Sequence, residues 1–180
     1  MPSISNLLSP DNLNNIISSQ VKRGSVFRMH LDEEEGVKGK NHGENGRNKY
    51  FVVLGVANDG SVIGFVLINS HVNANLPDEL KDLHYPINVS SYPFLKRNSF
   101  VNCSIIKEIN RSKFSLLFSP NSKKGEIKEE DMDMIIGAVK SSPSIPPKLL
   151  KNLVFSRNKP PALFLPLTPS DCLGGVPPSD

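Results

Sequence analysis

The chain has 180 residues, enough for one domain with a hydrophobic core and some additional segments. Its formal net charge is +3 with acidic and basic residues interleaved, so the composition permits nucleic-acid binding without requiring it. There is no Trp, no apolar signal core at the beginning and no apolar run near the roughly 18 residues of a membrane span, so we expect a cytoplasmic, reduced protein with no membrane association.

A short amphipathic helix is predicted at the beginning of the chain, in "SPDNLNNIISSQ". Ser9 suits the N-cap position, and Pro10 suits the first helical position because its missing N–H needs no partner there. Leu13, Ile16 and Ile17 recur at helical spacing, which predicts one shared apolar face.

Three strands are predicted next, at residues 23–31, 49–57 and 61–69. The second and third are joined by "NDG", a strong signal for a tight turn because these residues tolerate positive φ. Gly55 and Gly64 lie inside these strands, which indicates bends or bulges in a curled sheet. A long Gly- and Lys-rich loop separates the first two strands, and long loops on a rigid sheet often carry binding residues.

The second half of the chain begins with a polar crossing loop. Further strands are predicted at residues 84–89, 99–109 and 113–118, and Pro86 places the first of them at a sheet edge. Residues 125–142 predict the longest helix, with Ile127, Met134, Ile135 and Val139 on its apolar face. Residues 146–155 predict one more short helix.

These elements predict a mainly β fold, a small curled antiparallel barrel with an N-terminal helix and C-terminal helices. We divide the chain into an N-terminal helical segment at 1–20, the barrel domain with its closing helices at 21–155, and a tail at 156–180. The tail is rich in Pro and shows no periodicity, so we expect it to be extended or disordered and dispensable for folding.

Five segments in this order resemble the MazF/PemK family of bacterial toxins, over about residues 21–139. The segments are "KRGSVFRMHL", "GENGRNKYFVVLG", "FVLINS", "LKRNSFVNCSIIKEINRSKF" and "GEIKEEDMDMIIGAV". Members of that family are SH3-like barrels and sequence-specific endoribonucleases. The resemblance implies metal-independent cleavage of single-stranded RNA, no cofactor, a homodimer, and inhibition by a small acidic antitoxin protein.

Two positions depart from the family pattern. Asn48 stands where the family often has Pro after the Arg, and either Asn69 or Ser70 stands where the family has a Thr at the end of a strand. These departures leave the fold prediction unchanged. They bear on catalysis and on the RNA sequence that would be recognised.

The resemblance makes Arg47, Ser70 and Asn69 the candidate catalytic residues. Arg47 suits the charge of a phosphorane because its planar fork matches phosphate oxygens and stays charged. A surface ion pair with one of the acids at 33–35 is the alternative for Arg47. Ser70 or Asn69 would donate hydrogen bonds to the phosphate, and a capping role at the strand end is their alternative.

Other residues are candidates for RNA binding. His71 follows Ser70, and its imidazole suits a base as well as a contact to RNA. The remaining candidates for the RNA backbone are the three lysines Lys38, Lys40 and Lys49. Tyr50, Tyr92 and Phe94 offer either stacking faces for unpaired bases or core packing.

No metal site is expected. The acids at 33–35 and 129–131 have no His or Cys nearby in sequence, so we expect them to be solvated. A second interpretation of the whole chain stays open, in which the same barrel is a non-catalytic module that binds RNA or protein, because small barrels host many unrelated functions.

Overall fold

The computed structural model describes the backbone of residues 10–155 and the side chains of residues 15–155. The strands are β1 (Ser25–Leu31), β2 (Arg47–Ala57), β3 (Val62–Asn69), β4 (His84–Ile87), β5 (Ser99–Asn102), β6 (Lys107–Asn110), β7 (Lys123–Glu126) and β8 (Leu153–Val154). The helices are α1 (Pro10–Gln20), α2 (Asp78–Lys81), α3 (Arg111–Leu117), α4 (Glu129–Ser141) and α5 (Pro147–Asn152), and Glu33–Glu35 forms a 3-10 turn. Ser9, the Leu13 side chain and the 156–180 tail lie outside the described residues.

Six strands form a curled antiparallel half-barrel in the order β4-β5-β3-β2-β1-β7, so the predicted mainly β fold is confirmed. β6 also pairs with β3, and β8 pairs with the end of β2. β4, with Pro86, is an edge strand as expected. None of the helices among residues 10–155 has the length and apolar character needed to cross a membrane.

The middle of β2 is buried on both faces, which explains its nearly continuous run of apolar residues. Because side chains alternate along a strand, Val52 and Leu54 enter one core, which is closed by α4. Phe51 and Val53 enter a second core, which contains Ile17 from α1, Phe114 from α3 and Phe118, which follows α3. In that second core the rings of Phe51 and Phe65 lie 4.6 Å apart, centroid to centroid.

Gly55 marks a register shift in the pairing of β2 with β3, where it lies opposite Gly64. A Cβ atom on Gly55 would lie 2.2 Å from the carbonyl oxygen of Val154, so only Gly allows β8 to approach here. The predicted irregularity at these two glycines is therefore confirmed. The turn after β2 also follows the sequence signal, since Gly60 has a φ of 73°.

Three sequence predictions of local structure were wrong. Residues 113–117 belong to helix α3 rather than a strand, and Phe118 directly follows the helix, so that Phe114 and Phe118 are both buried four residues apart. The predicted strand at 99–109 is two strands, β5 and β6, which pair with different parts of β3. On α4, Met134 is 61% exposed and Met132 is buried, so the apolar face is rotated from the predicted one.

The two acidic runs were expected to be solvated, and this holds for Glu33, Glu34, Glu129 and Glu130, which are exposed, but not for Glu35, which is buried, or Asp131, which is partly buried. Glu129 lies 3.2 Å and Asp133 lies 2.6 Å from the buried guanidinium of Arg23, which joins α4 to the start of β1. Glu35 is 4% exposed. Its carboxylate and those of Asp32 and Glu34 surround the ammonium of Lys113 on α3.

The Lys113 Nζ atom lies 3.1 Å from Asp32, 2.7 Å from Glu34 and 2.9 Å from Glu35. Burial opposes the charge of this ammonium, but the hydrogen bonds to the three carboxylates raise the pKa of Lys113 above its ordinary value. The carboxylate oxygens lie within 4.8 Å of one another, and a protein cation neutralises them. The cluster ties the end of β1 to α3.

We predict that Lys113→Met lowers the free energy of unfolding by about 2 kcal/mol or more, because it leaves the buried Glu35 carboxylate without its cation. The measurement is the urea midpoint at neutral pH. Lys148→Met is the control, since Lys148 is exposed on α5 and outside this cluster. Equal midpoints for the two variants would contradict a stabilising role of the cluster.

Candidate functional site

A cleft of about 550 Å³ lies at one end of the sheet, where β2 begins and β3 ends. Antiparallel pairing produces this arrangement: Tyr50 lies opposite Ile68, so the residues before Tyr50 lie beside those after Ile68. The segment that leads into β5 forms the other wall, because Phe100 pairs with Asn69. Residues far apart in sequence therefore share one cleft.

Cationic side chains dominate the walls of this cleft, and none of the described residues that line it is acidic. The cations are Lys40, Arg47, Lys49, Lys96 and Arg97. Arg47 is exposed and makes no ion pair within residues 15–155, so the surface ion pair considered as its alternative does not form. A basic cleft of this kind attracts polyanions.

Lys49 is held by Asn69, which lies on the neighbouring strand. The Lys49 Nζ atom donates a hydrogen bond of 2.7 Å to Asn69 Oδ1. Burial of the ammonium, followed by the nearby guanidinium of Arg47, lowers the pKa of Lys49. Because Oδ1 of Asn69 accepts from Lys49, the Asn69 amide nitrogen is the group left to donate to a ligand.

The structure places most of the residues predicted for the site in or beside the cleft. Ser70 and His71 line it, next to Asn69 at the end of β3. Lys40 reaches it from the loop before β2. Lys38 is exposed and does not line the cleft, so among the lysines named from the sequence only Lys40 and Lys49 do.

Lys96 and Arg97 are the cleft residues that sequence reasoning missed. They precede β5, which pairs with the end of β3, and this pairing brings them opposite the start of β2. The adjacent cations in "LKRNS" just before a strand were the available signal. This signal identifies cleft residues only once the pairing of β5 with β3 is known.

The loop between β1 and β2 is held by hydrogen bonds at its tip and at its end. The Glu44 carboxylate accepts from the backbone N–H groups of Lys40 and Asn41, each at 3.1 Å, and from the Asn41 side chain at 2.6 Å. These bonds, the one from the Asn41 side chain first, lower the pKa of Glu44. The His30 ring donates from Nε2 to the carbonyl oxygen of Asn45 at 2.8 Å. The bonds to Glu44 fix the backbone at Lys40, the loop residue whose side chain lines the cleft.

Gly46 fixes the approach of this loop to β2. Its φ is 80°, a conformation that L residues rarely adopt, and a Cβ atom there would lie 2.1 Å from the carbonyl oxygen of Leu31. The chain therefore passes close to the end of β1 immediately before Arg47. As a result, the backbone of Arg47 is fixed on both sides, by this close approach and by the β2 ladder.

The opposite wall is held by two tyrosines and one aspartate. Tyr85 donates a hydrogen bond of 2.6 Å to Asp131 on α4, and the buried Tyr92 donates to the other oxygen of the same carboxylate. The backbone N–H of Leu95 then donates to the Tyr92 carbonyl at 3.0 Å. These contacts fix the segment that presents Lys96 and Arg97.

The hydrogen bond to Asp131, followed by burial, raises the pKa of Tyr85 to about 12. For Tyr92, burial is the larger cause and the bond to Asp131 the second, and its pKa is raised as well. Of the three residues considered as stacking faces, Tyr92 is therefore committed to packing and to Asp131. Phe94 packs between Tyr92 and Gly125, and Tyr50 lines the cleft.

A second cavity, of about 330 Å³, lies near the turn that joins β2 to β3. Two carboxylates line it, those of Asp59 and Glu108, together with the amides of Asn58 and Asn152. Carboxylates repel phosphate, so this cavity is unsuited to a nucleic acid. The two ends of β2 therefore differ in charge, and the cleft at its beginning is the candidate site.

Comparison with protein-family models gave no match, and comparison with curated proteins gave no similar sequence. The function of the cleft therefore has to be argued from its own residues.

We predict that Glu44→Ala releases the tip of the loop, since it removes three hydrogen bonds. Backbone amide exchange at Lys40 and Asn41 should become faster, while exchange within β2 stays unchanged. Because the pKa of Glu44 is lowered, its bonds persist above the ordinary carboxyl value of 4.5 and are lost as pH falls through the lowered value. Acidification should therefore lower the protection factors of these two amides, which correct for the pH dependence of intrinsic exchange, in the wild type and not in the variant. Glu79→Ala, at an exposed position of α2, is the control.

A second prediction concerns alkaline stability. Because the pKa of Tyr85 is raised from 10.0 to about 12, its contribution to the free energy of unfolding is complete below pH 10 and is lost as pH rises towards 12. Over that interval the urea midpoint of the wild type should fall more steeply than that of Tyr85→Phe. Tyr50→Phe is the matched control, because no described residue hydrogen-bonds the Tyr50 hydroxyl. Parallel curves for wild type and Tyr85→Phe would contradict the prediction.

Proposed function

We propose that this protein is a MazF/PemK-like toxin, a metal-independent endoribonuclease that cleaves single-stranded RNA in the cytoplasm. One observation carries the proposal. Arg47 at the beginning of β2 and Ser70 just after β3, both named from the resemblance, line one basic cleft, with Asn69 beside it and no acidic residue among the described ones that line it. Such a cleft suits a phosphodiester, and long-range pairing is what brings the two groups together.

The proposed reaction is a transesterification within the RNA chain. The ribose 2′-oxygen forms a bond to phosphorus and the bond to the 5′-oxygen breaks, which yields a cyclic phosphate and a free 5′-hydroxyl. A base must accept the proton of the 2′-hydroxyl, and an acid must protonate the leaving oxygen. Hydrogen-bond donors must also stabilise the additional charge on the phosphorane oxygens.

The cleft offers a residue for each of these tasks. His71, whose neutral imidazole has a ring nitrogen that can accept a proton, takes the proton of the 2′-hydroxyl. Arg47, free of any ion pair within the described residues, donates to the phosphorane oxygens, as do the Ser70 hydroxyl and the Asn69 amide nitrogen. Lys49 protonates the leaving oxygen, because an ammonium with a lowered pKa releases its proton more readily.

Lys40, Lys96 and Arg97 bind phosphates on either side of the scissile one. They come from two different walls of the cleft, so a strand of RNA can pass between them. Their contribution is mainly electrostatic and therefore depends on salt.

A second function, RNA binding without cleavage, is favoured by one feature of the site. The base candidate in the cleft is the exposed His71, and the oxygen of Asn69 already accepts from Lys49. A basic cleft with ordered walls can bind a single strand without any base to start the reaction. The experiment below distinguishes these two functions.

Two partners belong to the proposal. A small acidic antitoxin would complement the basic cleft and inhibit by covering it. A homodimer would cover β4 or β7, the strands at the two ends of the sheet, whose unpaired backbone groups favour pairing. Sedimentation at several concentrations tests the dimer, and a monomer throughout would refute it.

We predict that Arg47→Ala slows cleavage of a mixed-sequence single-stranded RNA about a hundredfold or more, because loss of one fixed donor to a developing anion typically has an effect of that size. Ser70→Ala should slow it as well. Lys40→Ala should weaken binding and reduce its salt dependence while the rate at saturation stays nearly unchanged. Initial rates in the presence of a chelator provide the measurement.

Lys38→Ala is the matched control, because Lys38 lies in the same loop but outside the cleft, and it should behave as wild type. Full activity of Arg47→Ala would remove the proposed site. Binding without cleavage by the wild type, over many RNA sequences and without an inhibitor, would favour the binding module. Failure to bind RNA at low salt would refute both functions.

A further inference from the structure

Besides its cations, the cleft is lined by three apolar or aromatic side chains, which we call its floor: Tyr50, Ile68 and Leu95. Ile68 and Leu95 are each 5% exposed. Phosphates and riboses gain little from such a floor, whereas the face of an unpaired nucleobase gains burial and stacking. The floor therefore suits a base and the walls suit the phosphates that flank it.

Tyr50 differs from the other two tyrosines of the chain. Tyr85 and Tyr92 both donate their hydroxyls to Asp131, which commits them to the structure. No described residue hydrogen-bonds the hydroxyl of Tyr50, and its half-buried ring borders the cleft. An aromatic ring that combines a fixed position with an unused polar group is typical of a binding surface.

Neighbouring side chains fix the plane of the Tyr50 ring. The Phe94 ring lies 6.4 Å from it, centroid to centroid, at an interplanar angle of 29°. The Arg28 guanidinium lies 5.7 Å from the centroid of the same ring. Little conformational freedom remains to be lost when a ligand stacks, which favours binding.

We infer that Tyr50 forms a subsite for one unpaired base, which packs against the part of its ring that borders the cleft, together with Ile68 and Leu95. The flanking phosphates then contact Arg47 and Lys49 on one wall and Lys96 and Arg97 on the other. A volume of about 550 Å³ falls within the range of about 300–1,000 Å³ usual for ligand pockets. A base in a duplex cannot present its face, so the subsite selects single strands.

The inference rests on the proposed function for the identity of the ligand, but its test needs no cleavage. The full chain is titrated with a short single-stranded 2′-deoxy oligonucleotide, which lacks the nucleophile, and with an abasic oligonucleotide of equal length and charge. The wild type should bind the base-bearing strand about tenfold or more tightly than the abasic one. The ratio of the two affinities isolates the base from the phosphates.

Three variants show which residues produce the preference for the base-bearing strand over the abasic one. Tyr50→Leu should bring the ratio close to one and leave the affinity for the abasic strand unchanged, which a general loss of structure would not do. Tyr50→Phe keeps an aromatic face and should retain the ratio. Lys96→Ala should lower the affinity for both strands by the same factor, because it removes a phosphate contact.

Tyrosine emission gives a second, direct measurement, because the chain contains no Trp and three Tyr. Stacking of a base should quench the Tyr50 signal when the base-bearing strand binds and not when the abasic strand binds. In Tyr50→Phe this quenching should disappear although binding remains.

Equal affinity of the wild type for the two strands, or an unchanged ratio in Tyr50→Leu, would overturn the subsite. Failure to bind either strand at low salt would overturn it together with the nucleic-acid proposal. A retained preference for bases without any RNA cleavage would support the subsite while contradicting the proposed reaction, so the two can fail separately.

Discussion

The pairing of β2 with β3 is the constraint on which the rest of the structure depends. Its register decides which side chains of β2 enter each of the two cores, because a shift by one residue would exchange Phe51 and Val53 for Val52 and Leu54. The same register brings Lys49 beside Asn69 at the open end of the strands. The order of the core and the composition of the cleft thus follow from one alignment of two strands.

Both walls of the cleft are supported by groups outside it. On one side Glu44 and Gly46 shape the loop that leads into Arg47. On the other, Asp131 on α4 holds Tyr92, and the chain from Tyr92 reaches Lys96 and Arg97 within a few residues. A basic site tends to push its own walls apart, and these contacts oppose that repulsion without adding a carboxylate to the described residues that line the cleft.

Sequence reasoning succeeded where the signal was local. Alternation and the turn signal at Gly60 located the strands around β2, and Pro10 at the first helical position of α1 agrees with the sequence. It failed where tertiary contacts decide. Residues 113–118 have strand-forming residues, yet Phe114 reaches the ring of Phe27 at 5.1 Å only as part of a helix. The edge strand β7, "KKGE", shows no apolar alternation and owes its existence to pairing with β1.

The same division applies to the candidate site. Arg47, Asn69 and Ser70 were named from the family resemblance, and they stand where β2 begins and where β3 ends. Lys96 and Arg97 depended on the neighbourhood of β3 and β5, which sequence spacing does not encode. The formal net charge of the chain did not indicate the basic cleft either. A formal charge of +3 for the whole chain coexists with five cations in the cleft where β2 begins and two carboxylates in the cavity at its other end. Because field strength near a cleft is set by the charges that line it, this local separation, and not the total, is what makes a polyanionic ligand the better fit.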